Sequence, residues 1–583
     1  MINEEKLSYY ITQSKIIDPN SYEKEIKIAI LGSFTLNGLS EVLQVKCRDS
    51  KIKSISYVGE YNQYAQEILN PKSNLYQFKP DIVFLLLDVR TILGDVYFSP
   101  YRSSVSERKE IVKDKILELE NLITIFKQNS NSKLIISNFN IPVYSPYGIY
   151  ENKTEYGFKK MILELNNYLE NLIKNENSIF LYDFDNFLRK FGEQNVFNYK
   201  QYFFGDVKIS IGFIPHLGHE LMGYVKPILG LSRKCIVVDL DNTLWGGIIG
   251  EDGFDGIKLG PYTQGKPFLE LQKILLALNN RGIILAINSK NNSEDALNVI
   301  KTHPYMLIKE ENFASKRINW NDKVSNMQEI ANELNIGLDS IVFIDDDPIN
   351  RELMKDSLPQ ILTVDLPRDP SEYGSYIMNL NDFNLLQITE DDIKRNKMYF
   401  QEKQRKEFKK NMPNLENFLK KMNIEVLIKN ADNFTIPRIS QLTLKTNQFN
   451  LTTKRYQEED IQKMVNDKKF QIECAQVSDK FGDNGITGVF IINKNDNEWI
   501  IDSFLLSCRV MGRGIEEGIL AHILEQAKKQ SVSKVKGQYI PTKKNLPCEN
   551  FYQNYGFKME GKYWSFDLKN TIKIPEHLRI NVK

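Results

Sequence analysis

Asp239 and Asp241 stand two residues apart where the apolar, β-branched run Cys235–Val238 ends, just ahead of Thr243, Trp245 and the glycine pair Gly246 and Gly247. In a strand, residues i and i+2 share a face. Because the strand ends here, both carboxylates project from its carboxyl edge, where open α/β sheets bind their ligands. Two acids held so close repel unless a cation lies between them, and hard oxygen ligands favour Mg²⁺. One carboxylate can then attack a phosphoryl group while the other passes protons. Asp and Asn also cap helices, so the pair alone is ambiguous.

Its companions follow in order along the chain. Arg281–Asn292 reads as a second buried strand ending in the amide and hydroxyl cluster Asn288, Ser289, Lys290 and Asn291. Asn319–Lys323 sets a lysine ahead of a helix, and Ile341–Ile344 is a third apolar strand ending in Asp345, Asp346 and Asp347. Phosphoryl transfer needs a nucleophile, a metal, a group to hold the phosphate and a cation to balance its charge. Asp239 supplies the nucleophile and Asp241 the proton donor, while Ser289 and Lys323 hold the phosphate. Mg²⁺ is expected on Asp239, the Asp241 carbonyl, and Asp345 or Asp346, with Asp347 turned out as a helix cap. Three consecutive acids leave the choice between Asp345 and Asp346 open.

These four stations resemble the haloacid dehalogenase (HAD) superfamily of aspartyl-phosphate phosphatases. The wording Asp239–Gly247 followed by Gly250–Gly253 is similar, more narrowly, to the FkbH-like subfamily. Asp239 and Ser289 are 50 residues apart and Ser289 and Asp345 are 56 apart. A doubly wound sheet consumes both intervals with its own helices and strands, so a capless, open site is expected.

The whole chain bounds the rest. Its 583 residues suit three to four domains, and 42% hydrophobic with 26% charged residues is ordinary globular composition. A formal charge of +1 without long basic runs offers no footprint for nucleic acid or a membrane surface. The polar start and the absence of an 18-residue apolar run predict neither a leader nor a membrane span. Five scattered cysteines (Cys47, Cys235, Cys474, Cys508 and Cys548) form no C-x-x-C pair, which fits a reducing cytoplasm.

Stepping outward, residues 1–231 alternate buried strands (Lys27–Leu31, Asp81–Leu87, Lys133–Ser137) with helical patterns, which implies a parallel sheet. Their order resembles an SGNH-hydrolase-like domain, with Ser33 at the nucleophile position and Asn138 near the oxyanion hole. His216 and His219 stand where a D-x-x-H is expected, so the serine lacks an orienting acid and a scaffold or binding role is favoured over hydrolysis. The phosphatase-like domain is placed at 232–378, and a charged, solvated helical connector at 379–411.

Residues 412–583 form a third domain. The strand 498–507 runs into Cys508 and an R-x-x-G-x-G turn, Arg509, Gly512, Arg513 and Gly514, before an amphipathic helix. Backbone N–H groups at such a helix start can cradle a pyrophosphate. With the Phe551–Phe557 segment, this resembles the acyl-CoA-binding α+β fold of GNAT acetyltransferases. Gln441–Asn450, including Asn447 and Gln448, and Asp479–Gly488 also match the FkbH-like pattern and are rich enough in polar groups to hold a ligand.

The FkbH-like resemblance implies a glyceryl transferase and phosphatase. Such an enzyme takes 1,3-bisphosphoglycerate, removes phosphate, and passes the glyceryl group as a thioester to an acyl carrier protein. The alternatives are a phosphatase or acyltransferase on another phosphorylated or CoA-linked substrate, and a carrier-binding scaffold. Cys508, alone among the cysteines, adjoins a basic turn at a helix start; Arg509, Arg513 and the helix dipole are expected to lower its pKa and suit it to relay the acyl group.

Overall fold

The computed structural model describes residues 5–16, 22–174, 176–495, 497–542 and 544–583. The chain divides into two compact units, 2–229 and 230–583.

In the first unit, five parallel strands lie in the order β2-β1-β3-β4-β5: β1 (Lys24–Gly32), β2 (Ile52–Val58), β3 (Ile82–Leu86), β4 (Lys133–Ser137) and β5 (Ile179–Tyr182). β3 and β4 are buried along their whole length, as continuous apolar runs in a parallel sheet require. The long helix Val105–Asn129 begins at a capping box formed by Ser104 and Glu107, and its Leu119, Leu122, Ile123 and Phe126 enter the core with Val83, Leu85 and Leu134.

The second unit carries two sheets. The first is parallel throughout, ordered β10-β9-β6-β7-β8, from β6 (Cys235–Val238), β7 (Ile284–Ser289), β8 (Phe313–Ile318), β9 (Ile341–Ile344) and β10 (Leu362–Thr363). The two intervals between the predicted stations hold the helices Ile249–Gly256, Lys266–Asn280, Ser293–Thr302 and Lys323–Leu334 together with β8, and no inserted sheet. Trp245, Leu271, Leu285, Ile287 and Val342 fill one face of this sheet.

The second sheet has nine strands. Its main path runs β17-β18-β16-β15-β14-β13-β11-β19, from β11 (Ile424–Asn430), β13 (Phe470–Asp479), β14 (Gly482–Lys494), β15 (Glu498–Leu506), β16 (Lys534–Gly537), β17 (Lys558–Glu560), β18 (Tyr563–Asp567) and β19 (Leu578–Val582); β12 (Phe449–Asn450) joins β15 from outside that path. The helix Ile515–Lys529 lays Ile515, Ile519, Leu520 and Ile523 on its core. The described residues are thus mixed α/β, with two parallel five-stranded sheets and one mixed nine-stranded sheet.

The connector departs from its expected solvated state. In the helix Arg395–Lys410, Met398 and Arg405 are buried, and Asp392 just before it is fully buried. Arg405 ion-pairs at 2.7 Å with the buried Asp479 of β13, and the Lys406 ammonium donates to the carbonyl of Glu333. Arg405 and Asp392 are thus paired inside while Glu390, Lys394, Lys409 and Lys410 stay exposed, and the segment ties the two sheets into one unit. Among the described residues no helix is long and apolar enough to cross a membrane.

Candidate active site

Strand register builds the site. Val238 of β6 lies level with Ile287 of β7 and with Ile344 of β9, so Asp239 and Asp345 leave their adjacent strands beside the last two residues of β7, Asn288 and Ser289, which still pair with β8. The Asp239 N–H still donates to the Ile344 carbonyl at 2.9 Å, which fixes the first carboxylate against the third strand.

Lys323 begins the helix Lys323–Leu334, capped by the Asp322 side chain, and reaches back into the crevice. Its ammonium lies 2.6 Å from Asp345 Oδ2 and 3.1 Å from Asp239 Oδ1. Burial works against its charge, but Asp239 and Asp345 outweigh burial and hold its pKa above the ordinary value. Asn288, wholly buried, donates to the Lys323 carbonyl at 2.8 Å and accepts from Asn326 at 3.3 Å. It positions the lysine and is not placed to touch a substrate, which revises its expected binding role.

Asp239, Asp345 and Asp346 bring carboxylate oxygens within 4.8 Å of one another. Burial and the charges of Asp239 and Asp345 push Asp346 up to about 7, and burial with Asp239 likewise raises Asp345. Three crowded, hard oxygen donors that repel one another fit a divalent cation such as Mg²⁺. Asp347 caps the helix Pro348–Ser357 by accepting from the Ile349 N–H.

Asp241 is held apart from this cluster. Its Oδ1 accepts from the Trp245 indole at 2.8 Å and the Ile249 N–H at 3.1 Å, and its Oδ2 from Asn291 at 2.8 Å. Burial raises its pKa against those three donors, the direction that proton transfer requires. Ser289 is buried at the end of β7, and Lys290 is exposed at the rim. Two supporting residues escaped the sequence reading: Trp245, and Thr243, whose hydroxyl lies 3.4 Å from Asp346 Oδ1. Thr243 stands four residues after Asp239 and Trp245 four after Asp241, and that spacing was the available signal.

The glycine-rich turn is revised. Gly512 and Gly514 adopt the positive φ expected of the turn, +71° and +77°. However, the Glu516 carboxylate already accepts from the Gly512 and Glu516 backbone N–H groups. Arg513 is ion-paired with Glu402 at 2.8 Å and Asp479 at 3.3 Å, and the His577 ring covers Gly514. β15 and β16 pair only from Glu498 to Ile501, and past that point β12 bonds to Leu505 and Leu506. Asn450 there is fully buried and its carbonyl accepts from Asn545 at 2.9 Å. The Glu516 carboxylate thus shares the helix start with the turn expected to cradle a pyrophosphate.

Cys508 is also revised. Burial raises its thiol pKa, against the opposing pull of Arg509 and Lys234. Its Sγ lies 3.4 Å from the Asn335 carbonyl, and the Asn335 side chain donates to the Cys508 carbonyl at 3.2 Å. Gln448 reaches the same Asn335 side chain at 3.4 Å, while Asn447 accepts from Arg455 at 2.6 Å. Arg509 reaches Ser507 Oγ at 3.4 Å. Gln448 and Cys508 thus meet at Asn335, whereas Asn447 turns to Arg455 and Arg513 to Glu402 and Asp479.

In the first unit, Ser33 Oγ accepts from the Asp88 N–H at 2.7 Å, and His216 packs on Phe191 and Phe213. The Asn138 amide donates to Asp183 at 2.7 Å.

Residues 27–226 match the family model "FkbH, N-terminal domain". The N-terminal part of the protein BF1531 from Bacteroides fragilis, containing a phosphatase domain and complexed with Mg, is 27% identical, with a TM-score of 0.61; the likeness covers 66% of this chain and all of that one. The IAA acetyltransferase from Bacillus cereus is 20% identical over 23% of this chain and 79% of its own, with a TM-score of 0.18. A GNAT family acetyltransferase from Elizabethkingia anophelis with acetyl-CoA bound is 14% identical over 24% of this chain and 97% of its own, with a TM-score of 0.19. No curated protein matches the chain.

Proposed function

From an FkbH-type N-terminal domain and a HAD-type phosphatase site, we propose that this chain is a Mg²⁺-dependent phosphatase coupled to acyl transfer. The reading takes 1,3-bisphosphoglycerate as substrate and an acyl carrier protein as acceptor of the glyceryl thioester. Asp239 attacks the phosphoryl phosphorus and forms an aspartyl phosphate as the P–O bond to the substrate breaks. Asp241 gives its proton to the departing oxygen. It then takes a proton from the water that hydrolyses the aspartyl phosphate, so phosphate leaves and both carboxylates are restored. Lys323 and Ser289 hold the phosphoryl oxygens. Asp239, Asp345, Asp346 and the Asp241 carbonyl would hold the cation, which supplies charge neutralisation at the phosphoryl group.

One observation carries the coupling: a thiol and the phosphatase carboxylates share one compact unit, joined by the helix Lys323–Leu334 and its cap Asn335. An acyl phosphate needs only a thiol to displace it, while the remaining phosphomonoester is a hard hydrolysis that needs the carboxylate site. Intact-mass analysis of the protein and a carrier protein after incubation with 1,3-bisphosphoglycerate and Mg²⁺ tests the reading. A glyceryl mass on the carrier supports it. Phosphate release with no mass on protein or carrier would leave a phosphatase only.

A further inference from the structure

The carboxyl ends of β1, β3 and β4 converge on a crevice of the first unit, and a buried lysine stands in it. Lys208 is 4% exposed and its ammonium pairs with Asp88, which is fully buried. The ammonium also lies 3.3 Å from Asn140 Oδ1 and 4.6, 5.6 and 5.7 Å from the ring centroids of Phe197, Phe184 and Phe34. A buried lysine ringed by aromatics is stable only with its carboxylate partner, so Lys208 and Asp88 neutralise each other. Burial lowers the lysine's pKa, and Asp88 works against that shift.

Above the pair is an open pocket of about 300 Å³, counting its mouth. Arg90 lines it, half-buried, with its guanidinium carbon 4.8 Å from the Tyr202 ring centroid, 4.9 Å from that of Phe98 and 5.5 Å from that of Tyr97. The rings hold the guanidinium plane. Among the described residues its N–H groups have neither a hydrogen-bond acceptor nor a carboxylate in ion-pair range. With Lys208 already balanced by Asp88, the pocket is left with one rigid, positive, five-donor fork, the shape that matches a carboxylate or phosphate. The Tyr202 hydroxyl already donates to Asp88 Oδ2 at 3.4 Å, while half-exposed Tyr199 and Asn140 line the pocket beside it.

We propose that this pocket binds a small hydroxylated oxyanion, a hydroxycarboxylate or its phosphate ester, with the anion in the Arg90 fork and its hydroxyls on Asn140 and Tyr199. The site binds without cleaving, because Ser33 Oγ is committed to the Asp88 N–H. This holds whatever the phosphatase site acts on.

Isothermal titration of the full chain in EDTA, which withholds metal from the phosphatase carboxylates, tests the pocket with glycerate, 3-phosphoglycerate, inorganic phosphate and neutral glycerol. Saturable one-to-one binding of glycerate or 3-phosphoglycerate is expected, with glycerol silent. Tighter glycerate assigns the fork to the carboxylate, and phosphate alone assigns it to the phosphoryl group. Arg90→Gln should weaken binding at least tenfold, and Arg90→Lys, which keeps the charge but not the fork, severalfold. Both variants should retain wild-type turnover of p-nitrophenyl phosphate with Mg²⁺, which reports an intact fold. If Arg90→Gln does not fold, Tyr199→Phe, at a half-exposed ring, should still cost severalfold. The proposal is overturned if no oxyanion binds, if glycerol binds equally well, or if the folded variants bind as the wild type does.

Discussion

Cys508 Sγ rests 3.4 Å from the carbonyl of Asn335, the cap of the helix whose first residue, Lys323, is ion-paired with Asp239. Twelve helical residues at 1.5 Å each carry the chain about 18 Å from Lys323 to that cap.

Asp239→Asn should lose phosphate release by about four orders of magnitude or more, as nucleophile removal does when the rest of a site is intact. Circular dichroism should show an unchanged fold. Near-normal turnover in a folded Asp239→Asn protein would rule out the aspartyl-phosphate route.

Mg²⁺ should raise the thermal midpoint of the wild type by mass action, because the crowded Asp239, Asp345 and Asp346 carboxylates repel one another without it. Asp346→Asn should weaken that shift and the Mg²⁺ dependence of turnover together. Full activity after exhaustive chelation would contradict the proposed metal site.

Ser33→Ala should leave phosphate release and glyceryl loading unchanged. The hydroxyl accepts one buried N–H at 2.7 Å, so its loss should cost about 1–3 kcal/mol of stability, read by denaturant titration. A large loss of transfer with the fold intact would mean the first unit is a working catalyst.

Any acylation of Cys508 should accelerate as pH rises through the alkaline range. The thiolate is the nucleophile, and burial holds the thiol pKa above its ordinary value, so the reactive fraction grows with pH and does not level off near neutrality. Mass spectrometry with the acyl phosphate, no carrier and a pH series reads this, and Cys508→Ala should abolish the adduct while phosphatase turnover persists. An adduct that survives in Cys508→Ala belongs to another residue.

Lys445 should make stability rise with pH above neutrality. Burial lowers its pKa to about 7, with Arg395, Lys234 and Arg438 adding to the shift and Asp392 opposing it. The unfolded lysine titrates near 10.4, so between these values the unfolded chain holds the extra proton and raising the pH favours the folded state. Chemical denaturation from pH 7 to 10 should show a gain of a few kcal/mol, at most about 1.4 per pH unit, flattened in Lys445→Met. A slope unchanged by that substitution would mean the lysine is not desolvated.

The phosphatase stations were legible because each is a strand end. An apolar run followed by Asp239, by Asn288 and Ser289, or by Asp345 announces a buried parallel strand and the crevice beyond it, and register then sets the three ends level without further information. Asp241, Lys323 and the cap at Asp347 followed from i+2 spacing and helix-start chemistry, which are local rules.

What the local rules could not decide is how surfaces far apart in sequence meet. The charged run 390–410 reads as solvated, yet Arg405 finds Asp479 in another element and is buried. Arg513 reads as a free phosphate ligand until Glu402 and Asp479 claim it, and the Glu516 carboxylate shares the helix start. Cys508 reads as an activated thiol from its basic neighbours, but burial against Asn335 outweighs them. The aromatic setting of Arg90 depends on Tyr202, more than a hundred residues away. Sequence by itself determined where carboxylates and turns must lie; only the tertiary structure decided which charges would be paired and which left open, because pairing and desolvation depend on distance in space.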